Sequence, residues 1–467
     1  MKVPFDITVA TGGDKSKQFS SEGSRNVYFS IAETNNRKGA HDFPGLKLVS
    51  SGSGADRGDH VMSGVRYLIN GTSLVSEISN GTRTTIGAIA GTDRATFADD
   101  GANLYLVANS TIYKYDGSTL STVTQSVVTN PSSIDYINKQ FIISGDGGLF
   151  ATSDAGDGDT YNALNFAEEE TKPDPLIRPY EFNSLVYMMG SESVVPWYNT
   201  GQGNPPFSRQ QTSLVNVGLA GKHAVTNTKN YLYWVTPDRQ IMQGVGSSAQ
   251  PIASKGVARQ LAGGKVSDCI ASAFTLNDQQ FVLFKFPLIA TTILYSETLN
   301  YFVELDSGTD KDAKTEYYGN SVTFVYDKLL MTDYRNGNTY ELDEDTYTDN
   351  SDTRLRIITT PTFTGEQVGL PGRQITATQL RINMQTGVGL AAGQGVAPVL
   401  MCQLSAEGGE VWGGVEHVDM GAMGEYVKAV DLWNFATGYE IKARIMISEP
   451  VFFSAYSGFI DLVDGGF

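Results

Sequence analysis

Val65-Arg66-Tyr67-Leu68-Ile69, closed by Asn70-Gly71, is the stretch whose reading sets the fold class. β-Branched, aromatic and aliphatic side chains in a run of five suit a pleated surface, and Asn-Gly supplies the positive-φ residues of a tight hairpin. The same unit recurs at residues 104–107, 141–143, 185–188, 231–235, 281–284 and 328–331. With Tyr67, Tyr105, Ile142, Val186, Leu232, Val282 and Leu330 as markers, the spacings are 38, 37, 44, 46, 50 and 48 residues. Further turn pairs, Asn80-Gly81, Asp116-Gly117 and Asn336-Gly337, fall between such runs, and several copies continue into a second run carrying an aromatic, as in Thr111-Ile112-Tyr113-Lys114-Tyr115. Long amphipathic helices are hard to find, so the chain reads as all-β. A period of roughly 40–50 residues with about four short strands suits a β-propeller of six or seven blades; a series of meanders or stacked sandwiches gives a similar spacing.

The repeat fades after Tyr347, where Asp343-Glu344-Asp345 and Asp349-Asn350-Ser351-Asp352 make a polar boundary. Beyond it, strands are expected at residues 355–359, 375–384, 399–404 and 441–447, as in a β-sandwich or barrel. The expected division is therefore an N-terminal arm with the first strands (1–60), a β-propeller-like body (61–350) and a C-terminal β-sandwich or barrel closing onto that body (351–467).

Composition narrows the function. The 467 residues are 40% hydrophobic, enough for a sizeable core, and carry 34 Lys+Arg against 51 Asp+Glu, a formal charge of −17. Gripping phosphate backbones needs a Lys/Arg stripe, and none stands out; like charge does not prevent DNA from sliding past. No stretch approaches the ~18 apolar residues of a membrane span, and Met1-Lys2-Val3-Pro4-Phe5-Asp6 lacks the apolar core of a secretion signal, so a soluble protein made in the cytoplasm is expected. Two cysteines, Cys269 and Cys402, cannot build a disulfide scaffold. His41, His60, His223 and His417 show no metal-ligand spacing, and there is no Gly-x-Ser-x-Gly elbow or Walker-type loop. No cofactor, metal or catalytic residue is expected.

Two local patterns invite chemistry. Asp154-Ala155-Gly156-Asp157-Gly158-Asp159 puts carboxylates at calcium-like intervals, but it lacks the EF-hand spacing and reads as a solvated turn rather than a calcium site. Ser405-Ala406-Glu407-Gly408-Gly409-Glu410-Val411-Trp412 resembles the Asp-box hairpin of sialidase-like propellers, with Glu for Asp and Val for Thr. Gly158-Asp159-Thr160-Tyr161 is a weaker copy. Such a box is a structural turn whose acidic side chain folds back on backbone N–H groups over a packed aromatic; its expected members are Ser405, Glu407, Gly409 and Trp412.

Several strings, in order, resemble one family. Asn26-Val27-Tyr28, Arg37-Lys38-Gly39 and Phe43-Pro44-Gly45-Leu46 open the series, followed by Arg57-Gly58 and Gly64-Val65-Arg66-Tyr67-Leu68. The most specific part is Thr160-Tyr161-Asn162-Ala163-Leu164-Asn165-Phe166-Ala167 with Pro173-Asp174-Pro175-Leu176-Ile177. Trp197-Tyr198-Asn199-Thr200-Gly201, Tyr231-Leu232-Tyr233-Trp234-Val235 and Met420-Gly421-Ala422-Met423-Gly424-Glu425-Tyr426 continue it. Together they resemble the packaged-DNA stabilisation, or tail nozzle, proteins of short-tailed bacteriophages. The departures are Tyr161, where the family often has Trp, and Val411, where the box usually has Thr.

The resemblance implies a structural virion protein forming a hexameric ring. Such a ring binds below the portal and its adaptor, extends and closes the DNA channel, and meets a tail needle or plug. It also docks tailspikes or fibres. DNA would pass through the lumen without sequence-specific binding, past acidic residues for which Glu168, Glu169, Glu170, Asp343, Glu344 and Asp345 are the candidates. The box-like turns favour an alternative, a glycan-binding or glycan-cleaving propeller.

Overall fold

The seven marker residues all lie in the second strands of seven four-stranded antiparallel sheets. A second strand is covered by a neighbouring strand on each side and by a neighbouring sheet on each face, so it reads as a continuous apolar run; Leu104–Ala108 and Gln140–Ser144 are buried throughout. A computed structural model describes residues 1–8, 23–32, 37–168, 174–210, 214–433 and 436–466. Blades 1 to 6 occupy residues 56–88, 96–123, 133–168, 176–209, 225–251 and 270–305. Blade 7 takes its first three strands from Gly319–Val325, Lys328–Asp333 and Thr339–Asp343, and its outermost from Gly45–Ser50, paired antiparallel with Leu46 opposite Leu342. The propeller has seven blades, and the N-terminal part of the chain closes it.

The turns follow from residue type where a signal exists. Gly71, Gly81, Gly117 and Gly337 all have positive φ in hairpin connections. The first hairpins of blades 3, 4, 6 and 7 use Asn138-Lys139, Asn183-Ser184, Asn277-Asp278 and Tyr326-Asp327, both residues at positive φ as a two-residue turn matched to strand twist requires.

The remaining strands form a two-sheet sandwich. One sheet runs Val27–Ile31, Lys38–Asp42, Ser454–Asp464, Ile375–Met384 and Val430–Leu432, with Lys2–Phe5 and Ala436–Gly438 attached. The other runs Arg356–Thr359, Glu440–Ile447, Val399–Ser405 and Glu416–Asp419, with Phe363–Thr364 attached. Their inner faces, including Ile375, Leu380 and Ile382 against Leu400, Leu404 and Ile445, share one buried cluster. That cluster runs on into blades 6 and 7 through Phe43, Leu46, Phe281 and Tyr340, so the two bodies have a common core.

This arrangement corrects the expected boundaries. Among the described residues of 1–60, strands Lys2–Phe5, Val27–Ile31 and Lys38–Asp42 belong to the sandwich, and Gly45–Ser50 and Asp56–Met62 to the propeller. The crossing between them is held by buried charge. Arg356 Nη1 donates to Asp42 Oδ1 at 2.7 Å and to Val451 O at 2.8 Å, while Arg354 donates to Pro44 O at 3.0 Å and to Phe43 O. Residues 24–26 cover the outer edge of blade 6, with Asn26 N donating to Glu304 O at 2.9 Å, which removes an exposed edge strand.

Candidate functional site

The first strand of each blade lies innermost, and the seven converge on an axis. Residues on or beside six of them, those of every blade but the third, line a cavity of about 310 Å³ that includes Asp59, His60, Arg94, Arg178, Tyr180 and His223. Three of these strands carry a β-bulge near the cavity, at Asp56/Asp59, Leu176/Arg178 and Gly319/Val322. A bulge bends its strand and re-aims side chains locally.

Most charges along the axis are paired. Arg94 donates to Asp56 Oδ2 at 2.6 Å and to Ser321 Oγ at 2.9 Å, and Asn320 also reaches Asp56. Asp59 accepts from Arg66 Nε at 2.8 Å and Thr323 Oγ1 at 2.6 Å. His60 Nε2 lies 2.6 Å from Asp99 Oδ2 and its ring stacks on Phe97 at 6.0 Å; the hydrogen bond from His60 holds the Asp99 carboxyl below the usual range. His223 Nε2 lies 3.1 Å from Arg94 O. Burial first, then the positive charges of Arg94, Lys222 and Arg178, hold this imidazole well below its usual pKa, so it is neutral at pH 7. Burial raises the Asp135 carboxyl against the opposing pull of Arg178. Among the described residues no hydroxyl or thiol nucleophile is hydrogen-bonded to His60 or His223, so a general base without its nucleophile is all the axis presents.

The predicted acidic residues are scattered. Glu168 is exposed at the end of the outermost strand of blade 3; Glu169 and Glu170 lie outside the described residues. Asp343 ends the third strand of blade 7, pairing with Lys47 at 2.9 Å and accepting from Thr346 at 2.9 Å. Glu344, exposed, accepts from Asn277 of blade 6, and Asp345 is exposed beside it. Neither Glu168 nor Asp343–Asp345 lines the axial cavity, and blades 3 and 7 lie on different sides of the axis.

The Asp154–Asp159 turn spends its carboxylates on protein donors. Asp154 accepts from Asn165 at 3.2 Å, Asp157 from Asp159 N at 2.9 Å and Thr160 Oγ1 at 2.8 Å, and Asp159 from Lys114 at 2.5 Å. Among the described residues no three His, Cys, Asp or Glu are grouped to hold a metal ion. The box-like turn belongs to the sandwich, and its chemistry differs from the expectation. The Ser405 hydroxyl, not the acid, accepts from Glu407 N at 3.2 Å and Gly409 N at 2.9 Å, while the Glu407 side chain is exposed. Trp412 lies under the Arg444 guanidinium, 4.2 Å from ring centroid to cation, and Arg444 also pairs with Asp312 at 2.8 Å.

Sequence reasoning singled out neither Arg94 nor Arg178. The available signal is weak: a polar residue ahead of each apolar second strand, where a first strand turns one face to the axis.

Three solved structures are distantly similar to the chain. The N-terminal domain of Nup159 aligns with 68% of this chain and 97% of its own at 12% identity and a TM-score of 0.42. For the WD40 β-propeller domain of Doa1 the values are 64%, 97%, 10% and 0.42. For BamB from Moraxella catarrhalis they are 63%, 97%, 10% and 0.36, and likenesses this distant carry no functional argument. No curated protein matches the chain. The model of one family, described as bacteriophage P22 Gp10, beta-propeller, matches residues 4–347, a span that runs from the first strand through the closed seventh blade. The chain therefore belongs to that family, the phage packaged-DNA stabilisation proteins.

Proposed function

We propose that the chain is a tail nozzle subunit: a non-enzymatic virion protein that forms a ring, six copies in all, below the portal and adaptor. In that ring it extends and closes the DNA channel, meets a needle or plug, and docks spikes or fibres. The family match over residues 4–347 carries this reading. The axis adds support: a cavity of about 310 Å³ filled around by paired side chains has small-molecule dimensions, so DNA has no path through one subunit. Passage requires a lumen between subunits, and a formal charge of −17 on each one favours DNA sliding over sticking.

Negative-stain imaging of the purified chain with portal–adaptor complexes tests the reading. Rings seated on the adaptor are expected; a strict monomer that never associates overturns it. Because Glu168 and Asp343–Asp345 belong to blades on different sides of the propeller, a ring would turn at most one of these sides to its lumen. Charge reversal at Glu168–Glu170 or at Asp343–Asp345, done separately, is expected to slow DNA ejection in one case and leave it unchanged in the other. Unchanged ejection in both removes the acidic-wall idea.

A further inference from the structure

We propose that the axial cavity is a binding site for a small oxyanion, held by the Arg178 guanidinium with Arg94 and His223 beside it. Arg178 comes from the first strand of blade 4, directly at that strand's bulge, and is only 9% exposed. Its Nε donates to Pro179 O at 3.3 Å and its Nη1 to Lys222 O at 2.8 Å, and the planar group lies 5.0 Å from the Tyr180 ring. These contacts fix the fork in place and leave Nη2 over. Among the described residues, the carboxylate oxygen that Nη2 approaches is Asp135 Oδ2, at 3.8 Å, beyond hydrogen-bond reach.

Asp135 is the ion partner of this guanidinium without hydrogen-bonding to it, and each of its oxygens accepts from a backbone N–H. Oδ2 accepts from Glu181 N at 2.9 Å and Oδ1 from Tyr136 N at 2.9 Å. The other lining acid, Asp59, is held by Arg66, Thr323 and Ser321. The nearby Lys222 has a loose partner too, Asp93 at 3.5 Å. Arg178 Nη2 thus has a loose ion pair with Asp135 and, among the described residues, no acceptor at hydrogen-bond distance, and Arg178 lines the cavity. An oxyanion in the cavity supplies Nη2 with a charge-assisted acceptor at hydrogen-bond distance. Bulges in blades 1, 4 and 7 all fall beside the cavity, as when strands are shaped around an occupant. The class is phosphate, sulfate or a small carboxylate. Such an anion would join blade 4 to blades 2 and 5 across the axis, and this site is independent of the nozzle reading.

The test is calorimetric titration of the full-length protein with inorganic phosphate, sulfate and acetate at constant ionic strength, alongside thermal unfolding. Saturable heat with one site per chain and a saturable rise in unfolding temperature are expected for at least one anion; the anion giving the tighter isotherm identifies the source class. Arg178→Gln is expected to weaken binding roughly tenfold or more, the loss of a charge-assisted contact, and Arg178→Lys to weaken it less. No saturable heat with any of the three anions overturns the site, whether or not the variants fold. A temperature rise of equal size in wild type and Arg178→Lys, growing without saturation, is general salt exclusion and overturns it as well.

Discussion

The seventh blade meets the first through a buried ionic network, and Glu77 is its sharpest point of attack. Its carboxylate, inaccessible to solvent, accepts from Arg66 Nη1 at 2.9 Å, Arg83 Nε at 2.8 Å and Ser50 Oγ at 2.5 Å, the last residue of the closing strand. Arg66, equally buried, donates onward to Thr332 and Thr339 of blade 7 at 2.8 and 2.9 Å. Glu77→Leu strands that guanidinium with Asp59 as its only carboxylate. Breaking one side of a buried pair costs about 3–5 kcal/mol, whereas replacing both partners by apolar residues of similar volume is near neutral. Urea unfolding of the full chain, followed by tryptophan fluorescence, is expected to show that loss for Glu77→Leu and part of it recovered in Arg66→Met/Glu77→Leu, where Asp59 loses its guanidinium but keeps Thr323 and Ser321.

The pH dependence provides a second reading of the same interaction. Burial pushes the Glu77 carboxyl up, but Arg66, Ser50 and Arg83 pull it further down, so its pKa lies below the ordinary 4.5. A carboxylate whose folded pKa is depressed stabilises the protein above its unfolded pKa, and that contribution fades as pH falls through the folded value. The gap between wild type and Glu77→Gln should therefore be full at pH 7 and shrink below about pH 4.5. A Glu77→Leu protein within about 1 kcal/mol of wild type, or a double variant worse than the single, would refute the account of closure given above.

Three other outcomes are expected. Cys269 and Cys402 are buried and unpaired, and burial pushes the Cys402 thiol up to about 12; a thiol reagent should label neither in the native protein and both in guanidinium, and prompt native labelling would contradict that burial. Removing residues 1–50 takes one strand from the propeller and three from the sandwich; the product should be aggregated or readily proteolysed, and a soluble, protease-resistant fragment would show that closure is dispensable. At Gly158 a Cβ would lie 2.6 Å from the Tyr105 ring and 2.7 Å from Phe141, between blades 2 and 3. Gly158→Ala should cost about 1–3 kcal/mol by overpacking, and an unchanged melting temperature would mean those rings move aside freely.

The propeller was legible because second strands are insulated from solvent, which fixed seven apolar markers in order. First strands blurred, since residues such as Asp59, His60 and Asp135 face the axis and break the apolar pattern. The closing strand Gly45-Leu46-Lys47-Leu48-Val49-Ser50 is short, and only its partner 289 residues beyond Ser50, at Thr339, gives it meaning. For that reason the blade number stayed open between six and seven, and the N-terminal residues were read as an arm. In the sandwich, Ile375–Met384 was plain, yet Ser454–Asp464, the longest strand, was missed because Gly458 and alternating polar residues dilute it. The box-like turn joins Val399–Ser405 to Glu416–Asp419, and its capping atom is not legible in the sequence, since Ser405 and Glu407 both offer an oxygen at suitable spacing. The axial arginines stayed hidden: they are spread over blades that meet only when the ring is closed.

The shared seventh blade also sets a clock for biosynthesis. Residues 45–50 leave the ribosome early and must wait while residues 51–338 are made, at about 5–20 residues per second a delay of tens of seconds. Until Thr339–Asp343 emerges, blade 7 cannot complete and the sandwich lacks its longest strand. A truncated or stalled polypeptide therefore has neither body finished.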